Sequence, residues 1–418
     1  MSRGFDRLAY REPRPSPPII HLIGFLNRHF VLPVVVRLAA FDLPSADETR
    51  LLASVRPGAA AFLAPNHPEF MTDWLIDKEI SRRVSPLMAH WASYEVVNIH
   101  PVAQWLWLRN NLVANAPGGD GRAYSVRWAR AGHGVLLHPE GAPSWHGDRV
   151  GPLVPGVVTM AWETAGGGGD VAVRVVPLVW KLRFVGDVGV TLGREIDHVA
   201  RAVGVPAPGG SAGLTPIEQR FAALHEAVLA RSVERHGGAA SSSRSFFAWQ
   251  AEHAARLLAS LEARHGASDG DLPRRLHGLR RAILASAKDD REAARRDRRL
   301  LAEVERLHHF TAEHYGGATL TQEQIAESVK QLRLALLVRG AREGLHGVLP
   351  VAVAPRVACV RVPEPLDVGA AVARGGDPAA AQAELLGELR RRLQGALDGL
   401  NAEIEPVVGP YRRPNPFH

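Results

Sequence analysis

The sequence predicts an α/β fold, a mixed sheet flanked by helices, followed by a largely helical C-terminal region. Three observations carry this. Short apolar runs alternate with helical periodicities between residues 46 and 200. From Thr215 to about Arg342 the pattern is almost wholly helical, with breaks at Gly237 to Ser243 and Gly266 to Gly270. With 418 residues and 46% hydrophobic composition, the chain is longer than one typical domain and its apolar content is that of a globular protein.

Taken in order, Pro18 to Phe41 opens with an apolar cluster of Ile19, Ile20, Leu22, Ile23, Phe25 and Leu26. It breaks at Asn27-Arg28-His29 and resumes through Val36, interrupted by Pro33. No stretch reaches the roughly 18 to 20 uninterrupted apolar residues of a spanning helix. The pattern suits two short helices in a membrane interface, with Arg28 and Arg37 at headgroup level, or a buried helix packed on the following domain. The start Met-Ser-Arg-Gly lacks a compact apolar run with a small-residue cleavage site, so no signal peptide is expected.

Ala59 to Ala64 is an expected strand ending at Pro65, and Met71 to Ser81 an expected helix with Trp74, Leu75 and the Asp77-Lys78-Glu79 charges on different faces. Leu87 to Trp91 is a strand, Val96 to Leu108 helical or irregular, Tyr124 to Ala131 a helix and Gly134 to Leu137 a strand. Gly156 to Thr164 is a helix ending in the loop Gly166 to Gly169, and strands follow at Val171 to Val179 and Val188 to Leu192. Arg291 to Arg306 is dense in both signs of charge, the mark of a solvated helix laced with ion pairs or of a basic face toward a membrane or nucleic acid. Strands return at Val348 to Val353 and Val357 to Val362, before a helix from Ala379 to Leu400. The expected segments are residues 1–45, an interfacial helical piece; 46–204, the α/β domain; 205–345, helical; and 346–418, a strand pair and helix.

The formal net charge of +7, carried mostly by Arg, points to an anionic contact such as membrane lipid, acyl carrier protein, coenzyme A or nucleic acid, without choosing among them. Cys359 is the only cysteine, which excludes a disulfide framework and a Cys-built metal site. It stands in an expected strand, where a buried, inert thiol is the default.

Two blocks carry the chemistry. Asn66-His67-Pro68-Glu69-Phe70-Met71-Thr72-Asp73 follows a strand and leads into a helix, so His67 stands at the carboxyl edge of the sheet, where open α/β folds place their sites. Asp73 lies six residues on, within reach of the imidazole once the chain turns into the helix. A carboxylate on one ring nitrogen fixes the tautomer and raises the basicity of the other. The second block, His138-Pro139-Glu140-Gly141, is a turn directly after a strand. No Gly-x-Ser-x-Gly marks a covalent nucleophile. His133, His138 and His146 with Asp148 lack the spacing of a metal site, and Gly118-Gly119-Asp120-Gly121 lacks the Lys-Ser/Thr of a phosphate loop.

Asn-His-Pro with Asp six residues after the His, followed by a strand ending in Pro-Glu-Gly, resembles the glycerophospholipid acyltransferase superfamily, which includes glycerol-3-phosphate and lysophosphatidic acid acyltransferases. The usual first motif is Asn-His-x4-Asp; this chain has Asn-His-x5-Asp, as in the branch with Asn-His-Pro-Asn, with Glu69 in place of the last Asn. The third motif, Phe-Pro-Glu-Gly-Thr-Arg-Ser, reads His138-Pro139-Glu140-Gly141-Ala142-Pro143-Ser144. The fourth matches Val175-Val176-Pro177-Leu178, and Pro155-Gly156 resembles the family's helix-opening Gly. Asn111 to Asn115 occupies the place of the second motif without its Arg.

The resemblance covers about residues 50 to 200. It implies that His67 acts as general base on an acceptor hydroxyl, that Asp73 orients it, and that Asn66, Glu140, Gly141 and Ser144 form the substrate site. The thioester donor, acyl-coenzyme A or acyl carrier protein, is a co-substrate, with no metal or other cofactor. The family's phosphate-holding Arg residues are absent at the matching positions; Arg149, Arg122 or Arg127 stands in for them, or the acceptor carries no phosphate. The implied activity is O-acyl transfer to glycerol-3-phosphate or 1-acyl-glycerol-3-phosphate in phospholipid synthesis. The expected setting is peripheral, on the cytoplasmic face of a membrane, with a lipid surface and an acyl carrier protein as partners and no nucleic acid. Two other readings stay open: the same fold acting on an amine or non-phosphorylated acceptor, and an inactive fold that binds lipid or a partner.

Overall fold

The computed structural model describes residues 10–115, 120–145, 147–168, 171–205, 215–238, 245–267, 269–337 and 352–418. The chain divides into two units: residues 1–185 with 350–405, and residues 186–349 with 406–418. The boundaries expected at 204/205 and 345/346 do not coincide with these. The first unit takes back the C-terminal strands, so the helical region is an insertion into the α/β unit.

The first unit begins with α1 (Pro17–Leu26), which runs on as a π-helical segment (Asn27–Val35), then β1 (Leu38–Asp42), α2 (Ser45–Ser54) and β2 (Ala59–Pro65). Next come α3 (Thr72–Val84), β3 (Ala89–Ser93), α4 (Tyr94–Val97), α5 (Pro101–Arg109) and β4 (Leu112–Asn115). They are followed by α6 (Gly121–Arg130), β5 (Val135–Leu136), α7 (Gly156–Gly166) and the long β6 (Ala172–Phe184).

The second unit holds α8 (Gly189–Ala202), α9 (Ile217–Arg235), α10 (Phe246–His265), α11 (Leu272–Ser286) and α12 (Arg291–His309). It continues with α13 (Ala312–Tyr315), β7 (Thr319–Leu320) and α14 (Gln322–Leu336). The chain then supplies β8 (Arg356–Arg361), β9 (Leu366–Asp367), α15 (Val368–Ala373) and α16 (Pro378–Val408), and ends on β10 (Arg413–Pro414), which pairs with β7.

The sheet is mixed and eight-stranded among the described residues, in the order β1-β8-β6-β2-β5-β3-β4, with β9 also on β6. β6, β2, β5, β3 and β4 run parallel, whereas β8 and β9 are antiparallel to β6. β8 and β9 lie along one edge of β6 with a one-residue slip between them. The slip falls at Val362-Pro363-Glu364-Pro365, where the two prolines have no N–H for a ladder. The central strand β2 is buried throughout, so it reads as a continuous apolar run rather than an alternation. Ala60, Phe62 and Ala64 face one core, completed by α7 and by Leu385, Leu389, Leu393 and Leu397 of α16. Ala61 and Leu63 face the other, with Leu75, Ile76 and Ile80 of α3 and Leu32 and Val36 of the N-terminal segment.

Three expectations are corrected. Val188 to Leu192 is not a strand. Leu192, Ile196 and Val199 recur at helical spacing and are the buried face of α8. The N-terminal segment is one continuous helix over Pro17–Val35 rather than two short ones, and by length and composition it is long enough and apolar enough to cross a membrane. Pro33 removes one donor from its second half, and the chain accommodates this with π-type bonds such as Val36 N–H to the Val31 carbonyl. The third concerns Asp77, Lys78 and Glu79, expected on a face apart from Trp74 and Leu75: all three are buried, as Leu75 is. Glu79 gathers Arg28, Arg82 and Arg83, each at 2.9 Å. The expected strand Val348 to Val353 falls largely outside the described residues. Cys359 is buried in β8, as expected.

In the second unit α12 is laced with ion pairs, as its composition predicts, and these reach neighbouring helices. Asp297 holds Arg264 and His265 of α10, at 2.9 and 2.6 Å. Its other face, Ala294, Leu301, Val304 and Leu307, is core. Phe221, His225, Phe246, Phe310 and Phe417 form an aromatic cluster beside that core.

Candidate active site

β2 ends at Pro65, which cannot donate to the ladder. Asn66 takes over: its carboxamide accepts from the Trp180 N–H at 2.8 Å and donates to the Trp180 carbonyl at 3.1 Å, imitating one more peptide of β2. Asn66 is therefore a structural anchor for the loop that follows. Replacing it with alanine leaves both Trp180 backbone groups buried without partners. The expected cost is about 1–3 kcal/mol, read as a lowered denaturant midpoint with the slope unchanged.

The anchored chain presents His67. Its Nε2 lies 2.7 Å from Asp73 Oδ2, and its Nδ1 is buried without a hydrogen-bond partner among the described residues. Asp73 sits in the first turn of α3, and its other oxygen accepts the Trp74 N–H at 2.6 Å. Between them Met71 adopts a left-handed backbone (φ 66°), a strained conformation for a non-glycine residue. The six-residue spacing and the dyad it implied are thus brought together.

The turn after β5 locks this loop from the other side. Glu140 accepts the His67 N–H at 2.8 Å through one oxygen and the Gly151 N–H at 3.0 Å through the other. A Cβ at Gly151 would meet Glu140 Oε2 at 2.7 Å, so a larger residue would have to displace that carboxylate. Gly141 turns the chain at φ 73°. The Ser144 N–H and hydroxyl both donate to the His67 carbonyl, at 2.8 and 3.1 Å. Glu140 and Ser144 therefore hold the histidine loop. Arg149 stands exposed on the next loop, and the dyad is built without it. Asp148 pairs with Lys181, away from any cluster of histidines. His133 packs on Trp128, and His146 lies outside the described residues.

Sequence reasoning missed a second pair. His138 stacks on His67, ring centroids 4.0 Å apart and planes 16° from parallel. Its Nε2 lies 3.0 Å from Asp77 Oδ2, and its Nδ1 faces the Asn66 and Pro65 carbonyls at 3.1 and 3.3 Å. A third histidine, His90 of β3, bonds Ser81 at 3.2 Å. Asp73, Asp77 and Ser81 recur every fourth residue on one face of α3, so each turn of that helix offers an acceptor to one histidine from adjacent strands. That spacing was the available signal.

Electrostatics follow the burial. Burial and then His138 bring His67 down to about 4, against the pull of Asp73. Burial works to raise Asp73, but His67, His138 and the Trp74 N–H outweigh it and hold the carboxyl below its usual range. Burial lowers His138, yet Asp77, Asp73 and Glu140 together push it up to about 9. Burial raises Asp77 to about 6 against His138, and raises Glu140 to about 7.

His67, Asp73 and His138 also lie close enough to be considered as metal ligands. The geometry does not suit a shared ion. Near-parallel stacked rings send their in-plane lone pairs side by side, and both nitrogens of His138 already face acceptors. The arrangement can instead take a proton from an acceptor at a bare imidazole nitrogen and hold that ring by a carboxylate. In comparisons with known proteins, the chain matches no family model and no curated protein.

Proposed function

We propose that the protein is an O-acyltransferase that moves a fatty acyl group from a thioester donor to the hydroxyl of a glycerol-phosphate-type lipid precursor. The observation that carries this is the buried His67–Asp73 pair at 2.7 Å, with Nδ1 unpartnered, at the carboxyl edge of the sheet. As the acceptor oxygen attacks the thioester carbonyl, its proton passes to His67 Nδ1. The C–S bond then breaks, and the departing thiolate recovers the proton from His67. Asp73 keeps the other ring proton on Nε2 throughout.

A lipid substrate accords with the N-terminal helix. Leu22, Phe25, Leu26, Phe30 and Val34 are exposed along Pro17–Val35, and Val102 and Trp105 on α5 are exposed too. The two helices meet through Ser16 N–H to the Arg109 carbonyl at 2.9 Å. An aromatic and aliphatic face of this kind suits a bilayer interface. Phe25→Asp with Phe30→Asp is expected to weaken sedimentation with anionic phospholipid vesicles at least about tenfold, while leaving turnover of water-soluble glycerol-3-phosphate unchanged.

The missing Arg of the second and third motifs favours a second reading, an acceptor without phosphate. Thioester consumption screened against glycerol-3-phosphate, lysolipids and neutral or amine acceptors, with coenzyme A and acyl carrier protein donors, decides between the two. Efficient acylation of lysophosphatidic acid removes the second reading. No consumption with any acceptor removes both.

A further inference from the structure

The hydrogen-bond inventory around the two stacked imidazoles differs in a way that fixes their charge. Each nitrogen of His138 faces only acceptors: the Asp77 carboxylate at 3.0 Å on one side, the Asn66 and Pro65 carbonyls at 3.1 and 3.3 Å on the other. Satisfying both requires a proton on each, so His138 is an imidazolium. His67 has one acceptor, Asp73, and a bare Nδ1. A second proton on His67 would be a buried donor without a partner, 4.0 Å from a cation of the same kind.

We propose that His138, held by Asp77, is a positioning residue for the His67 base: an imidazolium stacked on its ring that keeps Nδ1 unprotonated. This rests on the acyl-transfer reading for its catalytic consequence, but the charge assignment stands apart from it. The groups facing the pair are Asp73 and Asp77 from α3, Glu140 from the turn after β5, and His90 from β3. His90 has only Ser81 and a bare Nδ1, so it is neutral, and Lys78 beside it adds a further reason to remain so. Of the three histidines along α3, the middle one alone is therefore charged. The low value near 4 for His67 and the high one near 9 for His138 accord with this inventory.

The consequence is an enzyme whose base survives in acid. The test is the pH dependence of kcat/KM together with nitrogen-15 NMR titration of the histidine rings in the full-length protein, in wild type and in His138→Phe. Phenylalanine keeps the stacked ring and removes the charge. The acid limb is expected to move to higher pH by at least about one unit, with His67 titrating along with it.

If that variant does not fold, Asp77→Asn carries the test. There the ring stays and its counter-charge goes, so His138 is expected to lose its second proton at lower pH than in wild type. A wild-type His138 that titrates below 6.5 overturns the proposal, as does an acid limb in His138→Phe that coincides with wild type. If wild type consumes no thioester, acyl transfer fails, and the ring titrations still decide whether His138 is charged.

Discussion

Alanine at position 67 is expected to lower kcat for acyl transfer by about 10²- to 10⁴-fold, with the fold and vesicle binding intact. The loss arises because the ring stacked on His67 cannot replace it: His138 has both nitrogens engaged. The backbone role of residue 67, donating to Glu140 and accepting from Ser144, does not depend on its side chain. Asp73→Asn tests the same assignment from the other side. An asparagine amide can turn its NH₂ toward Nε2, which sends the ring proton to Nδ1 and removes the lone pair that accepts the acceptor's proton. Single-turnover thioester consumption, with circular dichroism to monitor folding, measures both variants. Activity that survives His67→Ala would sink the general-base assignment.

The second large effect concerns stability. Lys78 is 1% exposed, and its ammonium has no hydrogen-bond partner among the described residues. Burial lowers it from its ordinary 10.5 to about 8. A shift of that size corresponds to about 3 kcal/mol of destabilisation at pH 7, where the folded protein still carries the charge. Lys78→Met is therefore expected to stabilise the fold by about 2–3 kcal/mol, since an unbranched apolar chain fills the same space.

The pH dependence has a definite sign. Between about 8 and 10.5 the unfolded chain binds the Lys78 proton more than the folded one does, so wild type gains stability as pH rises through that window. The variant lacks that gain, and the difference between the two proteins shrinks as pH rises from 8 to 10.5. Urea denaturation of both proteins at pH 7 and pH 10 checks it, and a difference that does not change with pH would refute the assignment.

What the sequence disclosed follows from how local each signal is. The apolar run Ala59 to Ala64 and the turn Pro139-Glu140-Gly141 announce themselves because strand and turn chemistry are written in neighbouring residues. The His67–Asp73 pair was legible for the same reason: six residues and one helix start bring the groups together. His138 and Asp77 were not, because 61 positions separate them and only the pairing of β2, β5 and β3 lines them up on α3. The burial of Asp77-Lys78-Glu79 was not legible either, since nothing local says that a helix with so many charges is covered on several sides. Val188 to Leu192 looked like a strand over five residues, and only the longer stretch to Val199 shows the helical period. The hydrogen bonds of Asn66 to Trp180 and of Ser144 to His67 were not legible, because they depend on tertiary structure while the resemblance named only the positions.

The return of β8 to the sheet bears on how the protein is made. β6 ends at Phe184 and its antiparallel partner begins at Arg356, with the whole helical unit between them. A ribosome therefore completes the helical insertion before the strand that closes the edge of β6 has been synthesised. Until then the nascent chain carries the open edge of β6, lined by Trp180, Leu182 and Phe184, and β1 has no neighbour. A chain truncated before residue 356 would keep every residue of the dyad, yet present that edge to other chains, so its expected fate is aggregation rather than a smaller enzyme.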